Sequence, residues 1–170
     1  EADDALVQAL MFGLKDKKNT YQLEGFAGYN KIYTYNEDVE DNGYTWSLGL
    51  SKITGKFTFT ANHSVESEHY NPNDIGYLQA PNEVTDFVEI SYRNIEPTER
   101  FIRLVGSGFI MNSSLYNPRE SSFTMANLSI RALTKGFQFG MLSLESQFLN
   151  GNDFFEPRID GMHWITPKWI

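Results

Sequence analysis

The chain has 170 residues, a formal net charge of -8 from 14 basic and 22 acidic residues, and no cysteine. That length suits one domain with a sizeable core, while disulfides, thiolate catalysis and cysteine metal sites are excluded. The acidic balance argues against nucleic acid as a partner, since phosphate binding needs a basic face, and no run approaches the ~18–20 apolar residues of a membrane-spanning helix.

The first extended segment is Ala5–Leu14, and it ends in a tight connection at Lys15–Lys18. A second segment leads to a longer connection, Tyr35–Asn42, whose acidic residues offer hard oxygen ligands. Asp38, Glu40 and Asp41 are the candidate Ca²⁺ or Mg²⁺ ligands there, without EF-hand spacing; the other reading is an ordinary solvated loop. Gly43–Ile53 alternates most clearly: Tyr44, Trp46, Leu48 and Leu50 on one face, Thr45, Ser47, Gly49 and Ser51 on the other. After Thr54–Gly55 the next segment sets Phe57, Phe59 and Ala61 against Thr58, Thr60, Asn62, Ser64 and Glu66. A long connection spans His69–Glu83. In Thr85–Ile95, Val88, Ile90 and Tyr92 oppose Phe87, Glu89, Ser91 and Arg93. Glu89 and Arg93 on one face would be costly in lipid but not in a wet lumen, so the Ser, Thr, Glu and Arg face reads as the inside.

Beyond the short Glu96–Glu99, Phe101–Asn112 carries apolar residues on both faces, and Phe137–Phe148 is equally mixed. The remaining connections are Ser113–Ser121 (long), Thr134–Lys135 (short) and Leu149–Pro157 (long), after which Trp164–Ile170 begins another extended segment. Segments of roughly 10–13 residues exceed the ~5–6 of soluble strands and match the ~9–11 that cross a bilayer when tilted. Short and long connections alternate, as they do when antiparallel strands return to opposite sides of a membrane. The predicted fold is all-β: an antiparallel transmembrane barrel of outer-membrane type, or a segment of one, with about nine long strands. Residues 1–170 read as a single barrel segment inside a longer chain, because no leader-like run opens it.

Catalytic and metal constellations are sparse. Asn62-His63-Ser64 joins a base to a hydroxyl, but neighbours on a strand face opposite ways, so the two cannot pair directly. Glu66 and Glu68 have the alternate spacing of a carboxylate pair; His69 and His163 lack metal spacing. The loop Tyr70-Asn-Pro-Asn-Asp-Ile-Gly-Tyr-Leu78 and the string Asp153-Phe-Phe-Glu-Pro-Arg158 mix turn formers with bulky apolar residues. Tyr70, Asp74, Tyr77, Phe155 and Arg158 are therefore the candidate ligand contacts, with a structural cap over the barrel as the other reading.

Together with Gly43–Phe57, Asn82-Glu83, Gly161 and Pro167-Lys-Trp169, these strings resemble a family of Gram-negative outer-membrane proteins of unassigned function. Its members usually begin with a β-sandwich similar to family-nine carbohydrate-binding modules, followed by a barrel. The resemblance covers about Asn19 to Ile170 and falls in the barrel part. The sandwich is missing, so a carbohydrate-binding role attaches to a domain this chain does not contain, and the family offers no catalytic residue. The expected function is a non-catalytic, structural or transport-associated component of the bacterial outer membrane, with the lipid bilayer, glycans or other outer-membrane proteins as partners and no cofactor. The alternatives are a soluble all-β carbohydrate- or ligand-binding domain and an outer-membrane hydrolase.

Overall fold

A computed structural model describes residues 4–33, 40–71, 81–149 and 162–169. Nine strands run through them: β1 (Asp4–Lys15), β2 (Tyr21–Tyr33), β3 (Glu40–Lys52), β4 (Phe57–Glu66), β5 (Glu83–Asn94), β6 (Phe101–Leu115), β7 (Ser121–Thr134), β8 (Phe139–Leu149) and β9 (Met162–Trp169). Each pairs antiparallel with its sequence neighbour, giving one all-β sheet in the order β1 to β9. Among the described residues β1 pairs only with β2 and β9 only with β8, so the sheet is open; these strands do not close a barrel. No helix among them is long and apolar enough to cross a membrane, which says nothing of crossing by strands.

Residues paired across a ladder share a face, and the register sorts the faces that the sequence left mixed. Leu48 pairs with Gly25 and His63, His63 with Asp86, and Asp86 with Asn112. One row lower, Leu50, Ala61, Val88, Ile110 and Ala126 are in line. On β6, Leu104, Gly106, Gly108 and Ile110 therefore join the apolar face, while Arg103, Phe109 and Met111 join Phe87, Glu89 and Arg93 on the polar one. There the Phe87 and Phe109 rings lie with centroids 5.8 Å apart and planes tilted by 36°.

The exposures are inverted relative to a water-soluble sheet. Tyr44, Trp46, Leu48 and Leu50 are exposed, whereas Thr45 and Gly49 are buried and Ser47 and Ser51 half-buried. Among the described residues 25 large hydrophobic side chains are exposed, and twenty of them lie on the apolar face by register. Among the described residues the buried hydrophobic side chains are Val65, Tyr70 and Val84.

The alternation of connection lengths needs correction. At one end the connections are 16–20, 53–56, 95–100 and 135–138; at the other they are 34–39, 67–82, 116–120 and 150–161. The connection 116–120, at five residues, falls within the four to six of those opposite it, because β6 continues to Leu115 instead of stopping at Asn112. Ser113, expected in a loop, is buried in that extension and donates its hydroxyl to Glu83. Glu40–Asn42, also expected in a loop, pair with Lys31–Tyr33 as strand. At the opposite end local chemistry closes the turns: Asp16 Oδ1 accepts from Thr20 and Tyr21 N–H at 2.5 and 2.8 Å, and Gly55 takes φ +93°.

Candidate functional site

The end of the sheet bearing 67–82 builds an ordered rim by extending the ladders past the strand ends. Ser67 N–H donates to the Tyr44 carbonyl (2.9 Å), Asn82 N–H to Ser67 (3.3 Å) and Tyr116 N–H to Asn82 (3.0 Å). This row carries small residues in the middle and tyrosines at its ends. The Tyr44 and Tyr116 hydroxyls meet at 2.5 Å over Ser67 and Asn82, their rings edge-on at 88°. One row further in, Val65 and Val84 are paired and buried. The connection 116–120 is pinned by a second network. Asn117 N–H donates to Asn82 Oδ1 (2.8 Å), Asn82 Nδ2–H to the Asn117 carbonyl (2.9 Å), and Asn117 Nδ2–H to Glu68 Oε2 (3.0 Å).

Tyr70 is the one predicted ligand contact among the described residues, and it is buried. Its N–H donates to the Ser67 carbonyl (3.1 Å), which turns the chain over the polar face. The next residue follows: Asn71 N–H donates to Asn30 Oδ1 at 3.1 Å, and Asn30 is 1% exposed. Gly43 makes this approach possible, since a Cβ there would sit 2.2 Å from the Tyr70 Cα. Burial, with the nearby Glu66 charge, holds the Tyr70 phenol above its ordinary value. Asp74, Tyr77, Phe155 and Arg158 lie outside the described residues, as does Asp38. Glu40 and Asp41 are strand residues in their backbone. Among the described residues no group of three or more His, Asp or Glu could hold a metal ion.

The carboxylate pair differs from the sequence expectation. Glu68 lies beyond β4, in a turn, and Glu66 stands in register with Glu83 across the polar face. Glu83 accepts hydrogen bonds from Thr85 Oγ1 (2.8 Å) and from Ser113. Strand register creates this pair, and no local spacing signals it. His63 lies on the apolar face and Ser64 on the polar one. The histidine Nδ1 is 2.7 Å from Asp86 Oδ1, and its ring centroid is 5.0 Å from that of Trp46. This pair opens a polar row, His63, Asp86, Asn112 and Thr124, in which Thr124 Oγ1–H donates to Asn112 Oδ1 at 2.9 Å.

Below that row the apolar face is unbroken on β5 to β7. It contains a shallow hollow of about 460 Å³ over Gly108 and Ala126, flanked by Val88, Ile90, Leu128 and Leu144. Two surfaces of opposite chemistry thus share one sheet: a broad apolar face, and a polar face roofed at one end by Tyr70. Such a wall can separate an apolar medium from an aqueous one.

No curated protein and no solved structure matches the chain. The model of one family, described as a domain of unknown function (DUF5916), matches residues 1–170. The chain belongs to that family over its whole length.

Proposed function

We propose that this chain is part of the wall of an outer-membrane β-barrel, its apolar face against lipid and its polar face lining an aqueous lumen. The observation that carries this reading is the inverted exposure: twenty large hydrophobic residues exposed on one face against three buried in all, among the described residues. Side chains of ~150–250 Å², nearly half exposed, leave an apolar surface on the order of 1,000 Å² or more. Soluble monomers rarely exceed a largest patch of ~300–600 Å². At ~25 cal/mol per Å², covering that surface with lipid is worth about 25 kcal/mol.

The role is structural or transport-associated and non-catalytic, in the outer membrane of a Gram-negative cell. Glycans are the proposed solute class, with Tyr70 and, outside the described residues, Asp74, Tyr77, Phe155 and Arg158 as the candidate contacts, since aromatic and charged groups suit sugar hydroxyls. The decisive experiment places nitroxide labels at Leu48, Ile90 and Leu128 on one face and Thr60, Ser91 and Ser107 on the other. Labels of the first set should be relaxed by oxygen and shielded from an aqueous nickel chelate in vesicles. Water access at all six positions in a detergent-free monomer would reject the membrane reading in favour of a soluble sheet.

A further inference from the structure

At the end opposite the rim, the polar face gathers three arginines. Arg93 on β5 and Arg131 on β7 both stand level with Val105 on β6, two strand spacings or about 10 Å apart. Arg103 lies between them on β6, two residues nearer the tight turns. All three are exposed and line one cavity of about 290 Å³, backed by Leu133 and Phe139. No carboxylate lies within 4.0 Å of any of them among the described residues. Glu89, the acid nearest Arg93 on its own strand and face, is four residues or roughly 13 Å away.

This concentration of charge runs against the composition. In a chain with eight more acids than bases, three arginines on one wall locally reverse the sign of the net charge. The turns around the cluster add Arg100, Lys135 and one acid, Glu99, while Lys56 is already engaged with Glu96 at 2.5 Å. Three guanidinium groups on one wall repel each other unless an anion sits between them. Their planar forks match carboxylate and phosphate oxygens in bidentate geometry. The apolar backing of Leu133 and Phe139 keeps part of the water away, which strengthens such contacts. A cavity of about 290 Å³ has room for a compact polyvalent anion.

We propose that Arg93, Arg103 and Arg131 form a binding site for a small polyvalent oxyanion, a polycarboxylate or a phosphate compound, at the tight-turn mouth of the polar face. The site rests on the lumen reading for its access from water, and it makes that mouth anion-selective, as rings of arginine do in pores.

The test is calorimetric titration of the complete protein in detergent with pyrophosphate and, separately, citrate, both at fixed ionic strength, with sodium chloride as the blank. One or both anions should bind saturably, and the stronger identifies phosphate or carboxylate as the preferred class. Arg93→Gln, Arg103→Gln and Arg131→Gln should each weaken binding about tenfold or more, the loss of one charge-assisted contact. Arg103→Lys keeps the charge and the fold but not the fork, and should weaken binding several-fold if recognition is bidentate. Absence of saturable heat with both anions would overturn the proposal, and so would affinities unchanged in the glutamine variants. These readouts do not depend on the nitroxide result, so failure of the site and failure of the membrane wall are separable.

Discussion

An arginine placed at Ile90 separates a lipid-facing wall from a soluble sheet in one measurement. Ile90 is 51% exposed and sits midway along the apolar band of β5, four residues from the polar limits Asp86 and Asn94. Those limits are eight residues apart, about 27 Å along the strand and about 19 Å along the membrane normal at ~45° tilt. Ile90 is then about 10 Å from either boundary, near the midplane, where arginine on the lipid face costs about 2–4 kcal/mol. Its neighbour Ser91 faces the other way, in register with Thr58 and Ser107. Ser91→Arg should therefore cost under about 0.5 kcal/mol, the scale of an unencumbered surface change. Urea titrations of both variants folded into vesicles, read by tryptophan fluorescence, give the difference directly. In water an exposed isoleucine changed to arginine costs almost nothing, so equal stabilities for Ile90→Arg and Ser91→Arg would refute the assignment of the faces.

Three further outcomes test the rim and the turns. Tyr44→Phe and Tyr116→Phe each remove the same 2.5 Å hydroxyl contact; each should cost about 0.5–1.5 kcal/mol, and the double variant little more than either single one in a thermal-melt cycle. Gly43→Ala inserts a methyl 2.2 Å from the Tyr70 Cα and 2.3 Å from the His69 carbonyl oxygen. It should destabilise by about 1–3 kcal/mol and unpack Tyr70, seen as faster nitration of that tyrosine by mass spectrometry. Asp16 is held below its usual 3.8 by backbone N–H bonds, chiefly from Tyr21. A lowered folded value means that the unfolded chain binds more protons, so the turn's contribution is present above pH ~4 and fades as pH falls through the folded value. The drop in melting temperature between pH 6 and pH 3 should be smaller in Asp16→Asn than in the parent chain.

The clean strands were legible because period-2 alternation is a local property. Gly43–Ile53 carries it from Tyr44 to Ser51 and Thr85–Ile95 from Val88 to Arg93, and over those stretches the faces fall in the structure as the residues predict. Phe101–Asn112 was not legible alone, because its polar face carries Phe109 and Met111. Their assignment comes from strand β5: Phe109 opposes Glu89 and Met111 opposes Phe87, so the neighbour identifies the face. Strand ends failed for a related reason. Ser113, Ser114 and Asn42 look like loop residues, yet ladder partners extend the strands through them. Sequence composition marks where a turn is easy; hydrogen-bond register decides where the strand stops.

The candidate site was less legible still, since its geometry depends on pairs far apart in the chain. Tyr70 stood out as a bulky residue in a polar loop, and it is buried, but nothing local ties it to Gly43 or Asn30. Glu66 drew notice beside Glu68, while the acid it faces is Glu83, across the following connection. The arginines illustrate the limit most sharply. Arg93, Arg103 and Arg131 are spread over 39 positions of sequence, and each alone reads as a lumen charge on an amphipathic strand. Only the joint register of β5, β6 and β7 brings them to one cavity. The same register gathers twenty exposed hydrophobic residues on one face among the described residues. Both properties need only backbone pairing and residue identity, so a register slip of one residue, which exchanges the faces, would destroy the lipid-facing band and the arginine cluster together.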